Sequence, residues 1–470
     1  MIDTILLEAG PGELRAAMLG EGRVWQVEHH RSAYPSRIGA IYLGRVHYID
    51  KGINAAFVAL GDGPDGLLRA RDAAKLGEAR EGSPRIERLV HEGEGVLVQV
   101  TADPHGTKGP VLTRGVRLSG RYLHYRVGRS MCLDTAGSPV PDGHPLGALV
   151  EPGEGAQLKD AGRDASTEQL AAELTELREA WREVRRRAAS LEPPARVDPG
   201  PAPIERVMAG HAHGALRRVV AGDIACAETA QRWARRFLPG IVDRIETHGG
   251  PVPLFEELGV DAEIEAALAP RVPLEGGGEL VFEVGETLTA IDVNAGGPGV
   301  RPGRAALDVN LSAAPEIARQ LRLRGIGGAI VLDALKLDRA VDRARLVDAL
   351  RAAFAGDPAE CHVLGVSRLG LVEMTRRRLG PALNELLLAE APASRPNPEA
   401  VAYRALRVVP RAARATPAGH YTLAVAAEVA ALLEGPLAPA LADAARLVGG
   451  GLTIQGRAGW PRERFEIVVG

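Results

Sequence analysis

Apolar and polar residues alternate in short runs over the first quarter of the chain. Ile41-Tyr-Leu-Gly-Arg-Val46, Gly52-Ile-Asn-Ala-Ala-Phe-Val-Ala-Leu60, Gly66-Leu-Leu68 and Gly95-Val-Leu-Val-Gln-Val-Thr101 are set off by Gly and Asp, with a charged, helical insertion before the last. Short alternating strands between turn residues predict a small antiparallel barrel. Five of them close an OB-fold, whose outer face binds single-stranded nucleic acid through aromatic residues such as Phe57. Spacing alone fits a core phenylalanine equally well. From Ser166 the period lengthens: Leu170, Leu174, Leu177, Trp181 and Val184 recur at helical spacing behind the capping box Ser166-x-x-Gln169, which predicts a helix with Arg178, Arg182 and Arg185 to Arg187 on its solvated face. Pro199-Gly-Pro-Ala-Pro203 predicts a hinge into a helical segment running to about His248.

Beyond Pro270 strands and helices alternate. Gly276-Gly-Gly278 turns into a hairpin of Glu279 to Val284 and Thr287 to Asp292, a helix near Ser312 to Arg324 stops at Gly325, and Gly328-Ala-Ile-Val-Leu-Asp333 follows. With the elements through Leu383 this predicts an α/β layer. Asp292 and Asp333 stand at the ends of apolar strands, where a carboxylate is costly unless it sits at an edge or binds something. Asn294 shares a strand face with Asp292, so its amide is placed to orient that carboxylate. Two hard oxygen ligands with open positions suit magnesium better than zinc. Either aspartate alone fits an ordinary cap of the following loop or helix; the pair with Asn294 favours a metal site. The loop from Ala295 to Gly303 lacks the Lys-Ser/Thr ending of a phosphate-binding loop and is expected to be mobile rather than a phosphate cradle.

Composition narrows the classes. At 470 residues the chain suits three domains or more. Cys132, Cys226 and Cys361 make no CxxC pair, which fits buried thiols in a reducing compartment rather than a disulfide framework. The N-terminus carries acidic residues and reads as a strand, and no apolar run is long enough to span a bilayer, so a cytoplasmic protein without a membrane span is expected. His211 and His213 fall on different helix faces, which argues against a metal pair. A net charge of −3 gives no global signal for nucleic acid. Locally, however, Lys108, Arg114, Arg117, Arg121, Arg126 and Arg129 interleave with Tyr122 and Tyr125, a pattern suited to phosphates and stackable bases. A solvated basic face fits it as well.

Ala55-Ala-Phe-Val58, Gly106-Thr-Lys-Gly109 and Leu112-Thr113 resemble the RNA-binding barrel of the ribonuclease E/G family. Ile291-Asp-Val-Asn294, Glu316-Ile-Ala-Arg-Gln-Leu-Arg-Leu-Arg324, Gly327-Gly328, Ile330-Val-Leu-Asp333 and Ser367-Arg-Leu-Gly-Leu-Val-Glu-Met374 resemble its most specific signatures. The likeness runs in order to about Leu383. It implies an α/β and α+β multidomain chain: an RNase H-like subdomain in two parts (1–36 and 201–270), an OB-fold RNA-binding barrel inserted in it (37–118), and a five-prime-sensor-like region (119–200). A DNase I-like α/β catalytic subdomain (271–388), a linker (389–399) and a small C-terminal α+β domain (400–470) follow.

The resemblance implies a magnesium-dependent endoribonuclease acting on single-stranded RNA, with Asp292 and Asp333 as metal ligands and Asn294 orienting a carboxylate. Phe57, Lys108, Arg114, Arg121 and Arg368 are the expected RNA contacts. There are departures. Val150-Glu-Pro152 and Glu360 are aligned where the family has sensor groups, so loss of five-prime-monophosphate sensing is expected. Lys336 replaces a second acid and Leu67 a phenylalanine. Ala391-Pro-Ala-Ser-Arg-Pro-Asn-Pro398 carries no thiol for the family's zinc link; a homodimer stays compatible with the sequence, a zinc-linked tetramer does not. These losses favour one competing reading, a non-catalytic, ribosome-associated RNA-binding protein; a DNA-directed nuclease is another, because magnesium chemistry does not itself distinguish the sugars.

Overall fold

Three strands open the chain, β1 (Thr4–Gly10), β2 (Glu13–Gly20) and β3 (Arg23–Arg31), paired as an antiparallel meander. This is a computed structural model, which describes residues 2–74, 84–104, 108–128, 131–135, 137–296, 306–388, 395–415, 419–449 and 451–469. Most of the expected mobile loop after Asn294 (297–303), much of the charged insertion, the centre of the Asp103–Gly109 turn, Arg129 and the first half of the thiol-free stretch (391–394) lie outside the described residues. The chain forms two compact units: residues 36–206 with 232–240, and residues 1–35, 207–231 and 241–470.

In the first of these, β4 (Ile41–Asp50), β5 (Ala55–Ala59), β6 (Gly66–Arg69), β7 (Gly95–Ala102) and β8 (Val111–Thr113) are hydrogen-bonded in the order β4-β5-β6-β8-β7, and β7 pairs back onto β4. Only the β6–β8 pair is parallel. The result is a closed five-strand barrel consistent with an OB-fold. Its interior takes the inward residues of each alternating strand, among them Tyr42, Val46, Val58, Leu68, Val96, Val98 and Leu112. Closure removes the free edges that so short a sheet would otherwise expose.

A second sheet follows, in the order β11-β12-β10-β9, from β9 (Arg117–Ser119), β10 (Leu123–Val127), β11 (Cys132–Leu133) and β12 (Glu154–Leu158). The helix Thr167–Ala189 packs Leu170, Leu174 and Leu177 against Leu123, Tyr125, Ala156 and Leu158. Both halves of its capping box form, Ser166 N–H to Gln169 Oε1 at 2.8 Å and Gln169 N–H to Ser166 Oγ at 3.3 Å. One expectation is corrected here: Arg178 is not on the solvated face. Its guanidinium turns inward to the Glu154 carboxylate and the Leu149 carbonyl, because the Glu154 carboxylate, buried beside the sheet, needs a cationic partner. Strand β13 (Ala195–Asp198) returns to pair with β4.

In the other unit, β14 (Arg218–Ala221) and β15 (Ile245–Thr247) extend the opening meander by parallel pairing, giving β15-β14-β1-β2-β3. The α/β layer is a six-stranded sheet, β16-β17-β18-β19-β21-β20, built from β16 (Arg271–Pro273), β17 (Glu279–Val284), β18 (Leu288–Asn294), β19 (Gly328–Asp333), β20 (Cys361–Val366) and β21 (Val372–Arg376). Helices Ala306–Leu323 and Ala340–Ala353 bury Val309, Ala313, Ile317, Leu321, Leu346 and Leu350 against Ile291, Val293, Ile330 and Leu332. The first of these helices starts six residues before the expected Ser312. Pro315 lies inside it, where the missing N–H costs one helical hydrogen bond, offset by burial of ten of the helix's eighteen residues.

The C-terminal portion is a small α+β assembly. Strands β22 (Tyr421–Ala426), β23 (Leu452–Arg457) and β24 (Phe465–Val469), ordered β23-β22-β24, share one core with helices Pro398–Ala415, Ala427–Glu434 and Ala438–Leu447. Among the described residues no helix is long and apolar enough to cross a membrane.

Candidate active site

Strands β18 and β19 run parallel and are hydrogen-bonded neighbours, and their register pairs Asp292 with Asp333. Parallel strands lie about 4.8 Å apart, so the two carboxylates start from adjacent backbones. Ile291 and Val293 on one strand, and Ile330 and Leu332 on the other, point into the helix-covered core. With a period of two, Asp292, Asn294 and Asp333 therefore emerge on the opposite face, where both aspartates are exposed. The Asn294 amide donates to Asp292 Oδ2 at 2.8 Å. The three residues singled out in the sequence are thus brought together.

A residue that sequence reasoning missed holds the far side of this arrangement. Asn310, 1% exposed on the helix Ala306–Leu323, donates its amide to the Leu335 carbonyl at 2.8 Å and accepts from the Leu335 N–H at 3.0 Å. Both bonds fix the backbone two residues beyond Asp333. The signal was a lone Asn among apolar helix positions, which is costly to bury unless both ends of its amide are satisfied. Lys336, which stands where a further acid was expected, is 91% exposed and lies 3.8 Å from Asp338.

Among the described residues no group of three or more His, Cys, Asp or Glu side chains could hold a metal by itself. The donor set is therefore two adjacent carboxylates with an amide orienting one of them. That fits a hard cation which keeps several waters and takes its remaining ligands from solvent and phosphate oxygens, as magnesium does. It does not fit a closed zinc site, which needs four protein ligands with nitrogen or sulfur among them.

The long motif from Glu316 to Arg324 proves to be structural. Arg319 donates to the Val24 carbonyl at 2.8 Å and to Glu263 at 2.9 Å, Arg322 bonds Gln26 at 3.0 Å, and Arg324 bonds Gln320 and the Ala269 carbonyl. These bonds tie the helix behind the active-site sheet to β3 and to the helix Val260–Leu268. Arg376, which with Arg377 and Arg378 fits phosphate neutralisation or surface charge in the sequence, is instead buried. Its side chain is 3% exposed and is paired with Asp357 at 2.8 Å. Arg368 is exposed.

On the barrel, Phe57 lies half-buried on the outer face of β5 and Lys108 is exposed beside β8. Arg114 donates to the Leu89 carbonyl at 3.0 Å, which engages part of its guanidinium within the barrel. Arg121 stacks over the Tyr122 ring at 4.8 Å. In the adjoining sheet, His124 accepts or donates at Ser119 Oγ across 2.9 Å. Burial, then the charges of Arg117, Lys159 and Arg126, push its imidazole down to about 3. Register sets Arg117 beside Arg126 on the sheet face that carries His124, in the region where Val150 to Pro152 suggested that anion-binding groups had been lost.

Comparison with known proteins agrees with the signatures read along the chain. Ribonuclease G of Salmonella typhimurium (strain SL1344) is 28% identical over 491 aligned positions, covering all of both chains. Ribonuclease G of Haemophilus influenzae is 30% identical over 406 positions, 83% of this chain and 82% of that protein. Ribonuclease E of Synechocystis is 32% identical over 363 positions, 74% of this chain and 53% of that protein. A sequence profile of the Ribonuclease E/G family matches residues 145–379, which include both aspartates and the polar network behind them, and with these relatives it places the chain in the ribonuclease E/G family.

Proposed function

We propose that this protein is a magnesium-dependent endoribonuclease that cleaves single-stranded RNA to five-prime phosphate and three-prime hydroxyl ends. Family membership makes it an endoribonuclease; the metal, the substrate form and the end chemistry are our reading. The observation that carries it is the parallel register that sets Asp292 beside Asp333 on the exposed face of the sheet. In this reading residues 271–388 are the DNase I-like catalytic subdomain, 37–118 the RNA-clamping barrel, 119–200 the sensor-like region, and 1–36 with 201–270 the RNase H-like scaffold. Residues 389–399 are the linker and 400–470 the small end domain. Three free cysteines fit a cytoplasmic setting.

The chain's own contribution is placement and charge. Asp292 and Asp333 supply the negative potential and the oxygen donors, and Asn294 fixes which lone pairs Asp292 presents. Asn310 holds the strand end that carries Asp333. Phe57, Lys108, Arg114, Arg121 and Arg368 serve the strand, by stacking and by offsetting phosphate charge. Magnesium, when bound, supplies a Lewis acid that activates water and offsets charge on the departing oxygen.

A non-catalytic, ribosome-associated RNA binder is the less favoured reading, because such a protein has no use for two exposed carboxylates in register with an amide bonded to one. The decisive experiment incubates the purified protein with labelled single-stranded RNA, and a matched DNA strand, with and without magnesium, and maps both new ends. Cleavage of RNA alone, dependent on the metal, supports the proposal. No cleavage under any condition returns the binder, and equal cleavage of DNA returns the nuclease without sugar preference.

Five-prime sensing divides into two readings. Val150, Glu151 and Pro152 support an enzyme without it. The pairing of Arg117 with Arg126 on the sheet face that carries His124 favours a second, in which this sheet holds a terminal phosphate. Matched substrates bearing five-prime phosphate or hydroxyl separate them: a clear preference for the phosphate selects the second.

A further inference from the structure

The barrel strand β4 changes face partway along its length. Tyr42 and Val46 point into the barrel core, so simple alternation would send residue 48 inward as well. Instead the pairing with β5 slips between Val46 and Tyr48: Val46 faces Val58, and Tyr48 faces Phe57. His47 is the extra residue of this β-bulge. A bulge re-aims the side chains that follow it, and from here the odd positions turn inward, with Ile49 packed on the core.

The consequence is an aromatic pair on the outer face. Tyr48 is 43% exposed, and its ring lies on that of Phe57 with centroids 4.5 Å apart and planes 11° from parallel. His47 meets the Tyr48 ring edge-on at 5.9 Å and is itself held by Asp65 at 2.7 Å, so the bulge is braced. Register continues the row across two more strands, from Phe57 to Leu67 and from Leu67 to Val111. The outer face therefore offers two rings at one end and two aliphatic side chains at the other. An exposed tyrosine stacked in this way leaves one π-face open, and base stacking on such faces is tolerant of sequence.

We propose that Tyr48 is the second base-stacking ring of the RNA-binding face, extending the Phe57 platform toward β4 where Leu67 offers no ring on the other side. The inference rests on the reading of the barrel as the clamp for single-stranded RNA. Recognition would be of unpaired bases of any sequence, one against Tyr48 and its neighbour displaced along the row.

The test measures binding by the full-length protein, in chelator, of a fluorescein-labelled single-stranded RNA of about ten nucleotides, a length within the span of one such barrel. Tyr48→Leu is expected to weaken binding roughly ten-fold, as expected for one lost base stack, and Tyr48→Phe to stay within about two-fold of the native protein. An oligonucleotide with one base removed at the stacked position should bind the native protein less well and Tyr48→Leu no worse than the intact strand does. A merely structural role would not produce that non-additivity. If Phe57→Leu weakens binding while Tyr48→Leu does not, or if Tyr48→Phe is as weak as Tyr48→Leu, the inference is overturned and the barrel reading stands. If neither leucine variant changes binding, both fail. Tyr48→Trp gives an independent readout: indole fluorescence should be quenched on adding the RNA, and an unchanged signal overturns the proposal even if the leucine variant does not fold.

Discussion

Asp292 and Asp333 are register partners on adjacent parallel strands, 41 positions apart in sequence yet side by side on one face of the sheet. Each carboxylate should therefore be indispensable and neither redundant. Asp292→Asn and Asp333→Asn are each expected to lower cleavage by at least 10³-fold while leaving RNA affinity within about two-fold, since removing one of only two charged donors weakens the hold on a hard cation. Cleavage rates and filter binding on the same preparations check this. A parallel loss of binding and cleavage would contradict it.

Asn294 acts through Asp292 rather than on the substrate, so its loss should be partial. Asn294→Ala is expected to cost about 10- to 100-fold, the usual range for residues that orient a metal ligand. Raising magnesium should recover part of the loss. A magnesium titration of the rate decides: a rightward shift of the midpoint supports the orienting role, and a lower plateau at an unchanged midpoint counts against it.

The pair was legible in the sequence because two carboxylates end two apolar strands, where either alone would pass for a cap, and Asp292-x-Asn294 has the strand period. The barrel was legible from alternation and turn residues. What escaped had a different physical origin. Arg178 and Arg376 sit in sequence surroundings that fit a solvated face or a phosphate contact, and only tertiary packing supplies the buried Glu154 and Asp357 that draw them inward. The bulge at His47 leaves no mark in an alternating pattern, because one slipped pair reverses the facing of every later residue without changing composition.

The burial of His124 beside Arg117, Lys159 and Arg126 predicts an acid-sensitive fold. Its imidazole titrates at about 3 in the folded protein and near 6.5 when unfolded. Between those values the unfolded chain binds a proton that the folded one does not, so stability falls as pH falls from about 6.5 toward 3. His124→Gln removes this contribution. Denaturant midpoints at pH 7 and pH 4.5 should show a smaller loss for the variant than for the native protein. If both lose equally, the histidine is not held neutral by burial and the charges of Arg117, Lys159 and Arg126.

Asp357 and Arg376 test stability apart from chemistry. Their side chains are 5% and 3% exposed, the guanidinium bonds both carboxylate oxygens at 2.8 and 3.0 Å, and its third nitrogen reaches the Ile326 carbonyl at 2.6 Å. Burial alone would raise the Asp357 carboxyl. The Arg376 hydrogen bonds outweigh it and hold the group below the usual carboxylate range, so the contribution is complete at neutral pH and is lost as pH falls through that lowered value. Asp357→Asn leaves a buried guanidinium facing a neutral amide and should cost about 3 to 5 kcal/mol. Arg376 pairs in register with Gly328, at the opposite end of β19 from Asp333. Cleavage by folded protein should therefore be unchanged while the denaturant midpoint drops, and a fall in kcat under conditions where circular dichroism still reports native structure would give this ion pair a part in catalysis instead.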